Sequence, residues 1–132
     1  MYEIAVKAII LRGNKILILR KTLKEKQGDA DNNCYDLPGG RVRANEQLSK
    51  ALEREILEEA GLRLLKLKLH DATIIENKNG TKLIMLYYIC QCSTNQVVLG
   101  EEHEGYDWRM IDEILVDRKI PEWIKLVIRN FE

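Results

Sequence analysis

The first third of the chain carries two apolar runs separated by a short polar turn. Residues 4–11 are apolar and rich in β-branched side chains, with Lys7 as the one interruption, and predict a largely buried strand. A Gly-Asn pair then predicts a turn, and 15–20 predicts the strand that completes a hairpin. The polar stretch that follows predicts a mobile loop over 21–33.

The middle of the chain changes to a helical period. A Leu-Pro-Gly-Gly run at 37–40 predicts an interruption of regular structure, 45–60 predicts a helix, and Gly61 predicts its C-terminal end. At about 100° per residue, the apolar face of this helix consists of Leu48, Ala51, Leu52 and Ile56. Glu55 and Glu59 lie inside that apolar stripe, and Glu58 lies at its edge.

The second half of the chain is again rich in strand patterns. A strict alternation at 65–70 predicts a half-buried strand, and an Asn-Gly turn within 77–80 leads into a long strand over 81–92. The remaining predicted elements are short strands at 97–99 and 108–111 and a helix at 121–131. This order predicts an α/β or α+β fold with a mixed sheet covered by helices. Since no repeat or linker interrupts the chain, 1–132 is predicted to be a single domain.

Charge and cysteine content narrow the class of protein. The chain has 132 residues, with 21 basic and 21 acidic side chains and no net charge, which argues against stable binding to nucleic acid. No apolar stretch is long enough to span a membrane, and no signal peptide is recognisable. Three cysteines cannot all pair within the chain, which favours the cytoplasm. The neutrality hides an alternation, because 1–30 and 63–100 are net basic while 31–62 and 101–132 are net acidic.

The glutamates of the central helix need an explanation. Burying carboxylates without a partner is costly, and Glu55 and Glu59, four residues apart, also repel each other. A divalent cation such as Mg²⁺ or Mn²⁺ would offset this cost, since carboxylate oxygens are the ligands that hard cations prefer. Arg54 could supply part of the compensating charge. The alternative is a solvated acidic face on a helix whose buried side is different.

The spacing of residues in the central segment favours the divalent-cation site over the solvated acidic face. The segment 40–62 contains Gly40-x5-Glu46-x7-Arg54-Glu55-Ile56-x-Glu58-Glu59-x-Gly61-Leu62. It resembles the Nudix box, G-x5-E-x7-R-E-U-x-E-E-x-G-U with U aliphatic, at every defined position. A chance match in a chain of this length is on the order of one in ten million. The resemblance is to the small, MutT-like members of the Nudix hydrolase family.

The resemblance implies a fold, a reaction and a metal site. Nudix domains are α/β/α sandwiches with a mixed β-sheet between helices, and they hydrolyse nucleoside diphosphates linked to another moiety with Mg²⁺ or Mn²⁺. By motif position, the implied metal ligands are Glu55, Glu58, Glu59 and the backbone carbonyl of Gly39. A late acid six residues before a tryptophan often completes the site, which here is Glu102, with Glu101 and Glu104 as rivals.

The resemblance also implies catalytic and substrate-binding residues. Glu55 is the first choice for the general base, with Glu58 or the late acid as alternatives, and Arg54 is expected to orient a glutamate by ion pairing, with a similar structural role for Glu46. The side chains expected near the substrate are Arg20, Lys21, Tyr35 and Arg41. His103 stands among the acids of the late loop and could assist them.

The expected function is metal-dependent hydrolysis of a nucleotide diphosphate linkage. The length and layout favour cleavage of a (deoxy)nucleoside triphosphate to the monophosphate and pyrophosphate. An ADP-ribose or nucleotide-sugar pyrophosphatase is the alternative, and a non-catalytic nucleotide sensor is a further one. The expected partner is a small nucleotide, with no membrane or stable nucleic-acid partner, and the protein is expected to be a monomer or homodimer.

Overall fold

The computed structural model describes residues 2–27, 34–76 and 79–129. Part of the predicted 21–33 loop, the beginning of the turn at 77–80 and the end of the helix predicted at 121–131 lie outside the described residues. None of the described helices is long and apolar enough to cross a membrane.

The described residues form a strand-rich domain with helices between the strands. The strands are β1 (Tyr2–Arg12), β2 (Lys15–Lys21), β3 (Tyr35–Asp36), β4 (Gly39–Arg41), β5 (Leu64–Glu76), β6 (Lys82–Cys92) and β7 (His103–Met110). The helices are α1 (Leu23–Gln27), α2 (Leu48–Ala60), α3 (Ile111–Val116) and α4 (Glu122–Arg129). The short helices α1 and α3 carry no pattern long enough to be predicted from periodicity.

One mixed sheet joins all these strands, as predicted. Its main order is β3-β2-β1-β6-β5, with β4 paired to β1 and β7 paired to β2. The central pair, β1 and β6, is parallel, and the other pairs are antiparallel. Helix α2 covers one face, where its apolar side packs on Val6, Leu17 and Tyr88. Helices α3 and α4 cover the other face, which completes the predicted sandwich.

Helix α2 begins three residues later than predicted. Asn45 has a φ of +64° and therefore cannot belong to a right-handed helix, and the extended Gln47 precedes the first turn. The predicted end is confirmed, since Gly61 has a φ of +66° and its N–H donates to the carbonyl of Leu57. Leu48, expected on the buried face, is partly exposed at this late start.

Two predictions about short segments are wrong. The 37–40 run does not simply interrupt regular structure, because Gly39 begins β4 and pairs with Lys7 of β1. The 97–99 segment is not a strand. It crosses the end of α2, where the N–H groups of Val98 and Gly100 donate to helix carbonyls rather than to a neighbouring strand.

Strand β5 is longer and more exposed than predicted. The alternation at 65–70 predicted a half-buried strand, but β5 lies at the edge of the sheet, and most of its residues are exposed. Three of its leucines are consequently exposed, with Leu65 at 55%, Leu67 at 40% and Leu69 at 53% of their full accessibility.

Candidate active site

Two carboxylates are buried on the face of helix α2 that packs against the sheet. Glu55 and Glu59 are buried beside Ala51, Leu52 and Ile56, which confirms their predicted place inside the apolar stripe. Glu58, at the edge of the stripe, keeps about half of its side chain exposed. The helix therefore carries one accessible and two nearly inaccessible carboxylates within little more than one turn.

Arg54 is held in a network of acids next to these carboxylates. Its Nε and Nη2 lie 2.8 and 2.9 Å from the two carboxylate oxygens of Glu46, and its Nη1 lies 2.7 Å from Glu55 Oε1. Nη2 also donates to the carbonyl of Arg41 at 3.1 Å. The hydrogen bonds with Glu46, more than any other contact, raise the pKa of Arg54 and lower that of Glu46. The structure thus places Arg54 in ion pairs with glutamates of the motif, the contacts that its expected orienting role requires.

Two glycines bring the segment before α2 against its carboxylates. Gly39 has a φ of +149°, and a Cβ there would collide with the carbonyl of Val6 in β1. Its N–H donates to Glu59 Oε1 at 3.0 Å. A Cβ on Gly40 would lie only 2.7 Å from the carboxyl carbon of Glu55. Gly39 is therefore needed for the close approach of β4 to β1, and Gly40 for the close approach of β4 to α2.

A cavity of about 210 Å³ opens next to the buried acids. Its lining residues are Glu58, Glu59, Gly100, Glu101 and Glu102. Of the three rivals for the late acid, the structure brings Glu101 and Glu102 to this cavity, whereas Glu104 is not among its lining residues. Within the described ranges, no three acidic, histidine or cysteine side chains stand in an arrangement that would already hold a metal ion.

The protonation of Glu59 reflects its burial. Desolvation raises the pKa of Glu59 to about 8, although Lys7 and the N–H of Gly39 act in the opposite direction. Asp36 and Glu55 add like charge that raises it further. At neutral pH the metal-free site therefore favours a proton on Glu59, which a cation would have to displace.

Two of the predicted substrate-binding residues lie side by side on the sheet. Arg20 of β2 is paired with Tyr35 of β3 on one side and Gly105 of β7 on the other. A Cβ on Gly105 would collide with the guanidinium of Arg20, so this group rests over the bare glycine backbone. The guanidinium carbon of Arg109 lies 5.3 Å from the centre of the Tyr35 ring. Gly105 and Arg109 have no motif that could have indicated this neighbourhood.

Of the other two predicted substrate-binding residues, Lys21 lies next to Arg20, whereas Arg41 lies elsewhere. Arg41 forms an ion pair with Glu3 and lines a separate cavity of about 430 Å³, away from the late acids. Lys21 adjoins Arg20 at a bulge in the β2–β7 pairing, and its charge acts on Asp36. The structure therefore brings together Arg20, Lys21 and Tyr35 but not Arg41.

A buried polar cluster beneath the site was only partly anticipated. Lys7 Nζ lies 2.9 Å from Asp36 Oδ1, and His103 Nε2 lies 3.5 Å from Asp36 Oδ2. Sequence reasoning singled out His103 but gave Lys7 and Asp36 no role. The available signal was Lys7 itself, a lone charge in an otherwise apolar strand.

Comparison with known proteins identifies the protein family. A model of the NUDIX domain matches residues 1–131, and the chain belongs to the Nudix hydrolase family, as the resemblance predicted. The 8-oxo-dGTP diphosphatase of Buchnera aphidicola subsp. Schizaphis graminum is 30% identical over 113 residues, which cover 86% of this chain and 81% of the relative.

Further similarities extend to a solved structure and to a second kind of relative. The MutT protein from Methanosarcina mazei Go1 superposes with a TM-score of 0.83 at 26% identity, over 98% of this chain and 92% of that one. An ADP-ribose pyrophosphatase of Methanocaldococcus jannaschii is 41% identical over 59 residues, but these cover only 45% of this chain and 32% of the relative. The chain is thus a MutT-like Nudix hydrolase with an α+β fold.

Proposed function

We propose that this Nudix hydrolase cleaves a (deoxy)nucleoside triphosphate to the monophosphate and pyrophosphate with the help of Mg²⁺ or Mn²⁺. The observation that carries the proposal is the cavity in which Glu58 and Glu59 of α2 face Glu101 and Glu102 of the late loop. Similarity to a relative named 8-oxo-dGTP diphosphatase over most of both chains supports a triphosphate substrate.

The oxygen donors that line this cavity or adjoin its glutamates fit a hard divalent cation. Glu55, Glu58, Glu59 and Glu102, with the carbonyl of Gly39, would supply only oxygen ligands. The buried carboxylate of Glu59 supports this assignment, since one hydrogen bond from Gly39 satisfies little of its capacity as an acceptor. When bound, the cation would neutralise phosphate charge and lower the pKa of a coordinated water.

The protein's own residues would orient the substrate and move the proton. Arg20 and Lys21 would face phosphate oxygens, and Tyr35 would contact the nucleoside. Arg41 is not in this set because it pairs with Glu3 of β1 and lines a different cavity. Arg54 would fix the orientation of the Glu55 carboxylate through its 2.7 Å contact.

Glu55 remains our first candidate for the general base, with Glu58 as the second. Glu55 is held by Arg54, which suits a base of fixed orientation, whereas Glu58 is more accessible to water. Replacing each by glutamine and recording the pH dependence of kcat separates them. The true base loses the acidic limb of the profile, while loss of a ligand alone lowers kcat and keeps the limb.

The deciding experiment is a substrate panel with product identification in Mg²⁺ and in Mn²⁺. It would contain the ordinary and 8-oxo-guanine triphosphates, ADP-ribose and a dinucleoside polyphosphate. Monophosphate and pyrophosphate from a triphosphate are expected, with Glu59→Gln as the inactive control. Nucleotide binding without product under both metals would contradict the proposal and favour a sensor.

An ADP-ribose or nucleotide-sugar pyrophosphatase is the second candidate. The observation in its favour is the 41% identity to an ADP-ribose pyrophosphatase over 59 residues. That match is short and spans a third of the relative, so it carries less weight than the longer similarity to the diphosphatase. Release of AMP and ribose phosphate, with triphosphates left intact, would establish it.

A further inference from the structure

We infer that Lys7, Asp36 and His103 form a buried network of positioning residues that holds Gly39 and Glu102 in place for the metal. This inference rests on the metal site assigned under the proposed function. None of the three side chains would touch metal or substrate. They connect β1 with β3, which precedes Gly39 in the chain, and with β7, which begins directly after Glu102.

Asp36 lies at the centre of the network. Its Oδ1 accepts hydrogen bonds from Lys7 Nζ and from the backbone N–H of Leu37, both at 2.9 Å. Its Oδ2 faces His103 Nε2 at 3.5 Å. Because a carboxylate only accepts hydrogen bonds, the imidazole must carry its proton on Nε2 to complete this contact. Nδ1 of His103 is buried and has no hydrogen-bond partner.

Lys7 connects this carboxylate to the segment that carries Gly39. Besides Asp36, its Nζ donates to the carbonyl of Leu37 at 3.1 Å. Its methylene stem fills the space that a side chain at Gly39 would need, with Cδ 2.9 Å from the position of a Cβ. The neighbouring N–H of Ala8 donates to the carbonyl of Pro38 at 2.8 Å. Strand β1 therefore holds every residue from Leu37 to Gly39.

His103 connects the same carboxylate to the late loop. It directly follows Glu102, and its side chain is only 2% exposed. The carbonyl of Glu102 accepts a hydrogen bond from the N–H of Thr22 at 3.0 Å. Asp36 thus sets the distance between the two segments that bring the Gly39 carbonyl and Glu102 towards α2.

Because Lys7 is charged, the direction in which its removal changes the affinity for a divalent metal tests the inference. Lys7 interacts with the charges of Glu59 and Glu55 as well as with Asp36. If Lys7 were only a neighbouring cation, its removal would strengthen binding of a divalent metal, because a repulsive charge would be lost. If Lys7 positions the ligands, its removal weakens metal binding.

The test measures Mn²⁺ binding to the full chain without nucleotide, by the paramagnetic resonance signal of free Mn²⁺. Lys7→Met and Asp36→Asn should each weaken binding by about 10- to 100-fold, the range for residues that orient metal ligands. Lys125→Met is the matched control, since Lys125 of α4 is also buried but belongs to no contact of this network. Its Kd should stay within about twofold of the wild type.

A second variant covers the case in which Lys7→Met does not fold because Asp36 is left unpaired. Lys7→Met combined with Asp36→Leu removes both charges, which a folded protein tolerates better than a broken pair. Melting curves establish that each variant is folded at the assay temperature. A folded single or double variant that binds Mn²⁺ as well as the wild type, or more tightly, overturns the inference.

Failure of the inference and failure of the proposed function give different results. A wild-type chain that binds Mn²⁺ but hydrolyses no nucleotide contradicts the proposed function, while the comparison of Kd values still decides the inference. A wild-type chain that binds no Mn²⁺ overturns both.

Discussion

The backbone N–H of Gly39 donates a hydrogen bond to the carboxylate of Glu59, with 3.0 Å between nitrogen and Oε1. This contact joins the glycine before the motif to the last glutamate within it, 20 positions later in the chain. It brings the backbone N–H of Gly39 against an acid of α2.

Replacing Glu59 by glutamine should abolish turnover without unfolding the protein. Glutamine keeps the size of the side chain and can still accept the hydrogen bond from Gly39, but it loses the charge that would bind a divalent cation. We expect kcat/KM to fall at least about 100-fold, since even residues that only orient metal ligands contribute 10- to 100-fold. Full activity in Glu59→Gln would exclude Glu59 as a metal ligand.

The metal-free protein should lose stability as the pH rises from about 4.5 to about 8. The folded state raises the pKa of Glu59 from 4.5 to about 8, so it binds a proton that the unfolded chain releases. The resulting stabilisation is fully present below pH 4.5 and is lost as the pH passes 8. Melting temperatures measured in a chelator should show this decline. In Glu59→Gln the decline over this window should be smaller, while Glu58→Gln should retain it.

Gly39→Ala should be far more destabilising than Gly13→Ala. Both glycines have positive φ values, but a Cβ on Gly39 would collide with β1, whereas a Cβ on Gly13 would meet no atom within 4 Å. We expect a loss of about 1–2 kcal/mol at Gly13 from backbone strain alone and at least about 3 kcal/mol at Gly39. Denaturant unfolding of both variants measures the difference. Equal losses would show that the close approach of β4 to β1 contributes little.

Among the three acids of the late loop, Glu102→Gln should reduce activity most. Glu101 and Glu102 both line the cavity next to Glu59, and Glu104 does not. We expect about a tenfold or greater rise in the Mn²⁺ Kd for Glu102→Gln and little change for Glu104→Gln, which serves as the control. A larger effect of Glu101→Gln would transfer the ligand role to Glu101.

Gly105→Ala should raise KM more than it lowers kcat. The new methyl group would displace the guanidinium of Arg20, whose flexible end can move without unfolding the strand. Loss of a charge-assisted hydrogen bond to a phosphate corresponds to a KM about tenfold higher. Arg20→Ala should give a similar rise, and the double variant should add little to it. A normal KM in both single variants would remove Arg20 from the substrate site.

Local sequence patterns were sufficient for most of the sheet and for the carboxylates of α2. The apolar runs of β1 and β2 and the Gly61 stop are local features, so they appear at the predicted places. The exposure of β5 could not be predicted in this way. An alternating strand is half-buried only if a helix covers it, and its place at the sheet edge depends on every other pairing.

The sequence by itself determined the family and the acids of the motif. The spacing of the glutamates places them within about one turn of a helix, and this does not depend on the fold of the rest of the chain. Only the tertiary structure decided which distant groups join them. Lys7, Asp36 and His103 are separated by 29 and 67 positions, and they meet because β1, β3 and β7 converge at one place in the sheet. Local sequence periodicity carries no information about such long-range contacts. In the sequence, Lys7 is therefore only a single charged residue in an apolar strand, and nothing near it indicates its carboxylate partner.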